Sequence, residues 1–104
     1  MNAPYLQPEP TREEVDALAG ATVVEFGTNW CGWCRAAQPH IDEAFAGREL
    51  RHLKVEDGPG RPLGRSFRVK LWPTLVFMKD GQEMARVVRP GSADEIREGL
   101  SQLA

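Results

Sequence analysis

Cysteine is scarce in this chain of 104 residues: there are two, Cys31 and Cys34, too few for a disulfide scaffold. Long hydrophobic runs are missing as well. The uncharged apolar stretch from Leu71 to Met78 is eight residues and contains Pro73, far short of a membrane-spanning helix. Met1 to Pro10 lacks a basic start followed by an apolar stretch, so no secretory signal is read there and a cytoplasmic location is expected. Nor does one sign of charge dominate: 13 basic against 15 acidic groups leave a net −2. The charge is unevenly spread, acidic in residues 1–50 and basic in 51–104, where Arg61, Arg65, Arg68 and Lys70 gather around a loop. A nucleic-acid surface needs a wider basic face with interleaved aromatics, so this cluster reads as solvated surface.

What is there suits one globular domain. The chain is 41% apolar before glycine is counted, and a chain this long buries roughly 65% of its unfolded surface. Residues 1–10 hold three prolines and read as an N-terminal arm; residues 11–104 form the domain. Thr11 with Glu14 is a capping box that predicts a helix from Arg12 to Ala19, stopped by Gly20. Thr22 to Phe26 is a short buried strand with a carboxylate, Glu25, in its middle. From Cys31 to Ala46 the apolar residues Ala36, Ala37, Ile41, Ala44 and Phe45 recur at helical spacing, with Pro39 predicting a kink. Leu50 to Val55 is a second strand, and Leu63 to Phe67 a short helix after the Gly58–Pro62 loop. Thr74 to Met78 and Glu83 to Val88 form a hairpin around Lys79–Gln82. Ser92 with Glu95 opens a last helix to about Leu103. The order α-β-α-β-α-β-β-α predicts an α/β fold, a mixed sheet with helices on both faces.

The chemistry lies in Cys31-Gly32-Trp33-Cys34, which follows a strand and opens a helix. At a helix N-terminus, unpaired backbone N–H groups and the positive end of the dipole stabilise a thiolate on Cys31. Cys34, one turn on, can reach back to it. The first sulfur attacks a substrate disulfide and the second resolves the mixed disulfide. Zinc binding by the two cysteines with His40 and His52 fits no common spacing, so both histidines are expected at the surface or capping helices.

With these residues the chain resembles the thioredoxin family over about residues 11–104. Trp30 precedes the motif, Pro39 falls at the family's helix kink, and Gly81 matches the hairpin glycine. The resemblance implies a thioredoxin fold with four strands, or five if Tyr5–Leu6 adds one. It implies that Glu25 takes the place of the buried aspartate that serves the resolving cysteine, and that Lys54 is its electrostatic partner. It also implies that Pro73 is the cis-proline facing the disulfide. Trp30, Gly32, Trp33, Trp72, Pro73 and Gly91 are then the substrate-binding set, with an extended peptide pairing to the backbone beside Pro73, where Trp72 leaves its N–H and C=O free. Three departures stand out: Glu for Asp at position 25, Trp33 where proline is usual, and Trp72 where isoleucine or valine is usual. The expected activity is thiol–disulfide exchange on protein substrates by a monomer that binds no cofactor or metal and draws electrons from a reductase or other redox protein. The alternative is a non-catalytic interaction module that uses the aromatic rim; loss of a cysteine would favour it, and both are present.

Overall fold

Local signals set most of the element starts. Thr11 Oγ1 accepts the N–H of Glu14, and Glu14 returns its carboxylate to the Thr11 N–H, which starts α1 at Arg12. The computed structural model describes residues 4–104. Along it run α1 (Arg12–Asp16), β1 (Ala21–Gly27), α2 (Gly32–Phe45), β2 (Arg51–Glu56), α3 (Pro62–Ser66), β3 (Thr74–Lys79), β4 (Gln82–Val88) and α4 (Ala93–Ser101). The first helix stops three residues before the expected Ala19. The Gly20 N–H donates to Asp80 Oδ1 at 2.7 Å and the Asp80 N–H donates to the Gly20 carbonyl at 3.0 Å. That clasp turns the chain into β1, which must meet Lys79 at Ala21. Helix α2 runs through Pro39 without a break.

The sheet has four strands in the order β2-β1-β3-β4, parallel between β1 and β2 and antiparallel elsewhere. Among the described residues the arm adds no fifth strand. It makes one bond to the sheet edge, from the Leu6 N–H to the Lys54 carbonyl at 2.8 Å.

Side-chain alternation divides the core between the two faces of the sheet. Val23, Leu75 and Phe77 meet Ala37, Ile41 and Ala44 of α2 and Ile96 and Leu100 of α4. Val24, Phe26, Val55, Val76 and Met78 meet Val15 of α1, Leu63 of α3 and Phe67. Helices therefore cover both faces, as expected. Gly99 lets α4 lie flat on the sheet, because a Cβ there would stand 2.5 Å from the Phe77 ring.

Candidate active site

The two cysteines sit where β1 hands over to α2. Cys31 is the N-cap of α2, and its sulfur accepts the Cys34 N–H at 3.2 Å. A thiolate at this position is held by a backbone donor and by the positive end of a 14-residue helix. Both cysteines are free thiols and both are buried, with 8% and 6% of their surface exposed. Their difference is electrostatic. Burial pushes the Cys34 thiol up to about 12, the hydrogen bond with Cys31 adds to the rise, and the Thr28 backbone opposes it. Cys34 is thus a protonated thiol at neutral pH, and something must remove that proton before it can attack.

Gly27 explains how the space behind Cys34 is built. A Cβ on this residue would stand 2.7 Å from Cys34 Sγ and 3.0 Å from Tyr5 Oη. Glycine is required there by close approach rather than by backbone freedom. The Tyr5 hydroxyl is driven upward chiefly by burial and further by the nearby charges of Cys34 and Glu25, so it stays a donor. Tyr5, Thr28, Cys34, Gln38 and Lys54 line a cleft of about 150 Å³. Thr28 Oγ1 is buried without a hydrogen-bond partner among the described residues.

Glu25 lies on the face of β1 that α2 covers, and 1% of its surface is exposed. Lys54, expected as its electrostatic partner, is its register partner on β2, with its ammonium turned toward Gln38. Lys54 Nζ turns to Gln38 Oε1 at 3.4 Å and lies 4.8 Å from the centre of the Tyr5 ring. The Glu25 carboxylate is met instead by His52, whose Nε2 is at hydrogen-bond distance, 2.8 Å from Oε1. His52 is therefore neither a surface residue nor a helix cap. Its ring packs edge-on against Phe45 at 4.9 Å and keeps 21% of its side chain exposed. The reason is geometric: His52 and Lys54 share one face of β2, and the glutamate side chain leans diagonally past its register partner to reach His52.

In front of the sulfurs is an aromatic rim. Trp30 and Trp33 are 70% and 57% exposed. Trp30 meets Trp72 edge to face at 5.6 Å, and Trp72 Nε1 donates to Asp57 Oδ2 at 2.8 Å. The Trp72–Pro73 bond is cis. The Trp72 carbonyl is not free as expected, because Arg89 Nε donates to it at 2.9 Å. Arg89 also lies 4.5 Å from the Trp33 ring centre and donates its backbone N–H to the Pro73 carbonyl at 2.9 Å. This residue escaped the sequence reading; the only signal was its place beside the Pro90-Gly91 break. Gly32 is exposed at the start of α2, and Gly91 gives its N–H to Glu95 Oε2 at 3.1 Å.

A family model described as thioredoxin matches residues 4–102. The thioredoxin Asp f 28 of Aspergillus fumigatus is 30% identical over 87 residues, which are 83% of this chain and 81% of that one. The thioredoxin of Chlamydia pneumoniae is 36% identical over 74 residues, 67% of this chain and 70% of that one. Among solved structures, reduced thioredoxin 2 from Pseudomonas aeruginosa PAO1 superposes with a TM-score of 0.87 at 60% identity, covering 99% of this chain and 96% of the other. Thioredoxin NaTrxh from Nicotiana alata superposes with a TM-score of 0.73 at 26% identity, covering 88% and 80%.

Proposed function

This chain belongs to the thioredoxin family and is a thiol–disulfide oxidoreductase; from that premise we propose how its residues divide the reaction. Cys31 is the nucleophile. Its thiolate attacks a protein disulfide, forms a bond to one substrate sulfur and releases the other as a thiolate. Cys34 then gives its proton to Glu25 and attacks Cys31. The Cys31–Cys34 bond forms, the mixed disulfide breaks, and the second substrate thiolate leaves. Two electrons have passed from the dithiol to the substrate, and a reductase returns them. The observation that carries this division is the asymmetry of the pair: Cys31 caps α2 while Cys34 is buried behind it as a protonated thiol.

Lys54 serves the site at one remove, keeping a cation beside the cleft through Gln38 and Tyr5 rather than pairing with the carboxylate. Trp30, Gly32, Trp33, Trp72, Pro73 and Gly91 form the docking surface for an extended segment of the substrate. Since Arg89 holds the Trp72 carbonyl, the incoming strand pairs with the Trp72 N–H or shares that carbonyl. No described helix is long and apolar enough to cross a membrane, and we place the protein in the cytoplasm as a monomer. The test is reduction of insulin disulfides under a thiol reductant. Turnover abolished by Cys31→Ser, with a trapped mixed disulfide in Cys34→Ser, is expected; undiminished turnover in either variant would overturn the assignment.

A further inference from the structure

A buried base that accepts a proton in each cycle must also lose it, and only 1% of the Glu25 surface is exposed. Opposite it on β3 is Leu75, and on its own strand the next residue on the same face is Val23. Both are fully buried. From α2 come the Cys34 thiol and Gln38, which donates to Asp42 Oδ1 at 3.0 Å. From the arm comes the Tyr5 phenol, which burial and the surrounding negative charge hold in its protonated form. From β2 come Lys54, itself 7% exposed and turned to Gln38, and His52. His52 alone among these both touches the carboxylate and reaches solvent, with Nε2 at 2.8 Å from Oε1 and 21% of the side chain exposed. The Phe45 ring packed edge-on at 4.9 Å fixes the imidazole plane.

We propose that His52 is a positioning residue through which the proton taken by Glu25 from Cys34 leaves for solvent, and that it holds the Glu25 carboxylate in place for that transfer. The inference rests on Glu25 being the acceptor. The proton balance is simple. The Cys34 thiol loses its proton to the Glu25–His52 pair as Cys34 attacks the mixed disulfide. Starting from the Nδ1–H tautomer of His52, that proton passes from Glu25 to Nε2 to give carboxylate and imidazolium. Nδ1 releases its own proton to water, and exchange with water restores the Nδ1–H tautomer for the next cycle. Imidazole suits the task because both of its nitrogens exchange protons in the physiological range. A buried carboxylate also needs a polar partner whenever it is charged, and His52 provides one without a permanent cation.

The experiment uses the full chain charged with a substrate at Cys31 as a mixed disulfide, and follows its resolution by stopped flow from pH 5.5 to 8.5. His52→Gln retains a hydrogen bond to Glu25 but cannot relay a proton. The expected result is resolution slowed about tenfold, a modest share of what general acid–base groups contribute, with an altered pH profile and an unchanged rate of Cys31 attack. His52→Ala should be slowed likewise and recover in millimolar imidazole, which a purely structural loss would not do. Wild-type rate and pH profile in His52→Gln, alongside slow Glu25→Gln, would overturn the role of His52 and leave that of Glu25 standing. Wild-type behaviour in Glu25→Gln as well would remove Glu25 as the acceptor. Should one His52 variant fail to fold by thermal melting, the other carries the test.

Discussion

At the scale of single residues, the two sulfurs differ in place: Cys31 caps α2, while Cys34 lies one turn in with its thiol pushed up by burial. Iodoacetamide at mildly acidic pH is therefore expected to label Cys31 and spare Cys34, read by peptide mass mapping; equal labelling would contradict the asymmetry. Stability follows with a definite sign. The Cys34 thiol titrates near its ordinary value of 9 in the unfolded chain and about 12 in the folded one. Between those values the unfolded state has fewer protons, so the stability present below pH 9 falls as pH rises towards 12. Urea melts of the reduced protein should show that alkaline loss, and Cys34→Ala should flatten the part due to the thiol; an unchanged slope would refute it. The cysteines, the buried carboxylate and the proline were legible because each belongs to a local pattern. His52 was not. Its partner is 27 residues away, and the pairing depends on how far a glutamate side chain leans across a parallel register that itself aligns Glu25 with Lys54. The usable signal was there: His52 stands two positions before Lys54, hence on the same face.

The elements were legible wherever capping and periodicity agreed. Ser92 Oγ accepts the Glu95 N–H at 3.3 Å and opens α4 where the pattern predicts it. Ser92→Ala should cost about 1 kcal/mol in chemical denaturation. Element ends were harder, because long-range bonds decide them: the Gly20–Asp80 clasp shortens α1, and Pro62 starts α3 one residue early as a first-turn proline. The final turn of α4 closes at Ser101, with Leu103 bonded only back to Leu100. Packing between elements is invisible in the chain. Gly99 lies in mid-helix, where alanine is the better helix former, yet a methyl group there would drive into the Phe77 ring. Gly99→Ala should accordingly destabilise by about 1–3 kcal/mol through overpacking, measured as a lower denaturation midpoint; a more stable variant would show that α4 can lift off the sheet without penalty.

Over the whole molecule, the layered fold followed from the order of elements, while the contribution of the arm did not. Pairing of β2 with β1 leaves the outer edge of β2 open, and the described part of the arm bonds to it through Leu6 while laying Tyr5 over Lys54 and into the cleft that Cys34 also lines. Tyr5→Ala should raise the alkylation rate of Cys34 relative to Cys31 several-fold at alkaline pH, and an unchanged ratio would mean the phenol does not shield the thiol. The opposite edge, β4, bulges at Met84, which is skipped between the Phe77–Ala85 and Met78–Glu83 pairs, and bears the Glu83–Arg86 ion pair, which discourages strand addition there. The aromatic rim has a consequence of a different kind. Trp30 adjoins Cys31 and Trp33 adjoins Cys34 in the chain, both are open to water, and Trp33 lies against the Arg89 guanidinium. Indole emission is sensitive to a neighbouring sulfur bridge and to its contact with solvent, so closing the disulfide changes the protein's own light. The oxidation state of every molecule in a cuvette can then be followed as a colour and intensity change, with no label attached and no residue altered.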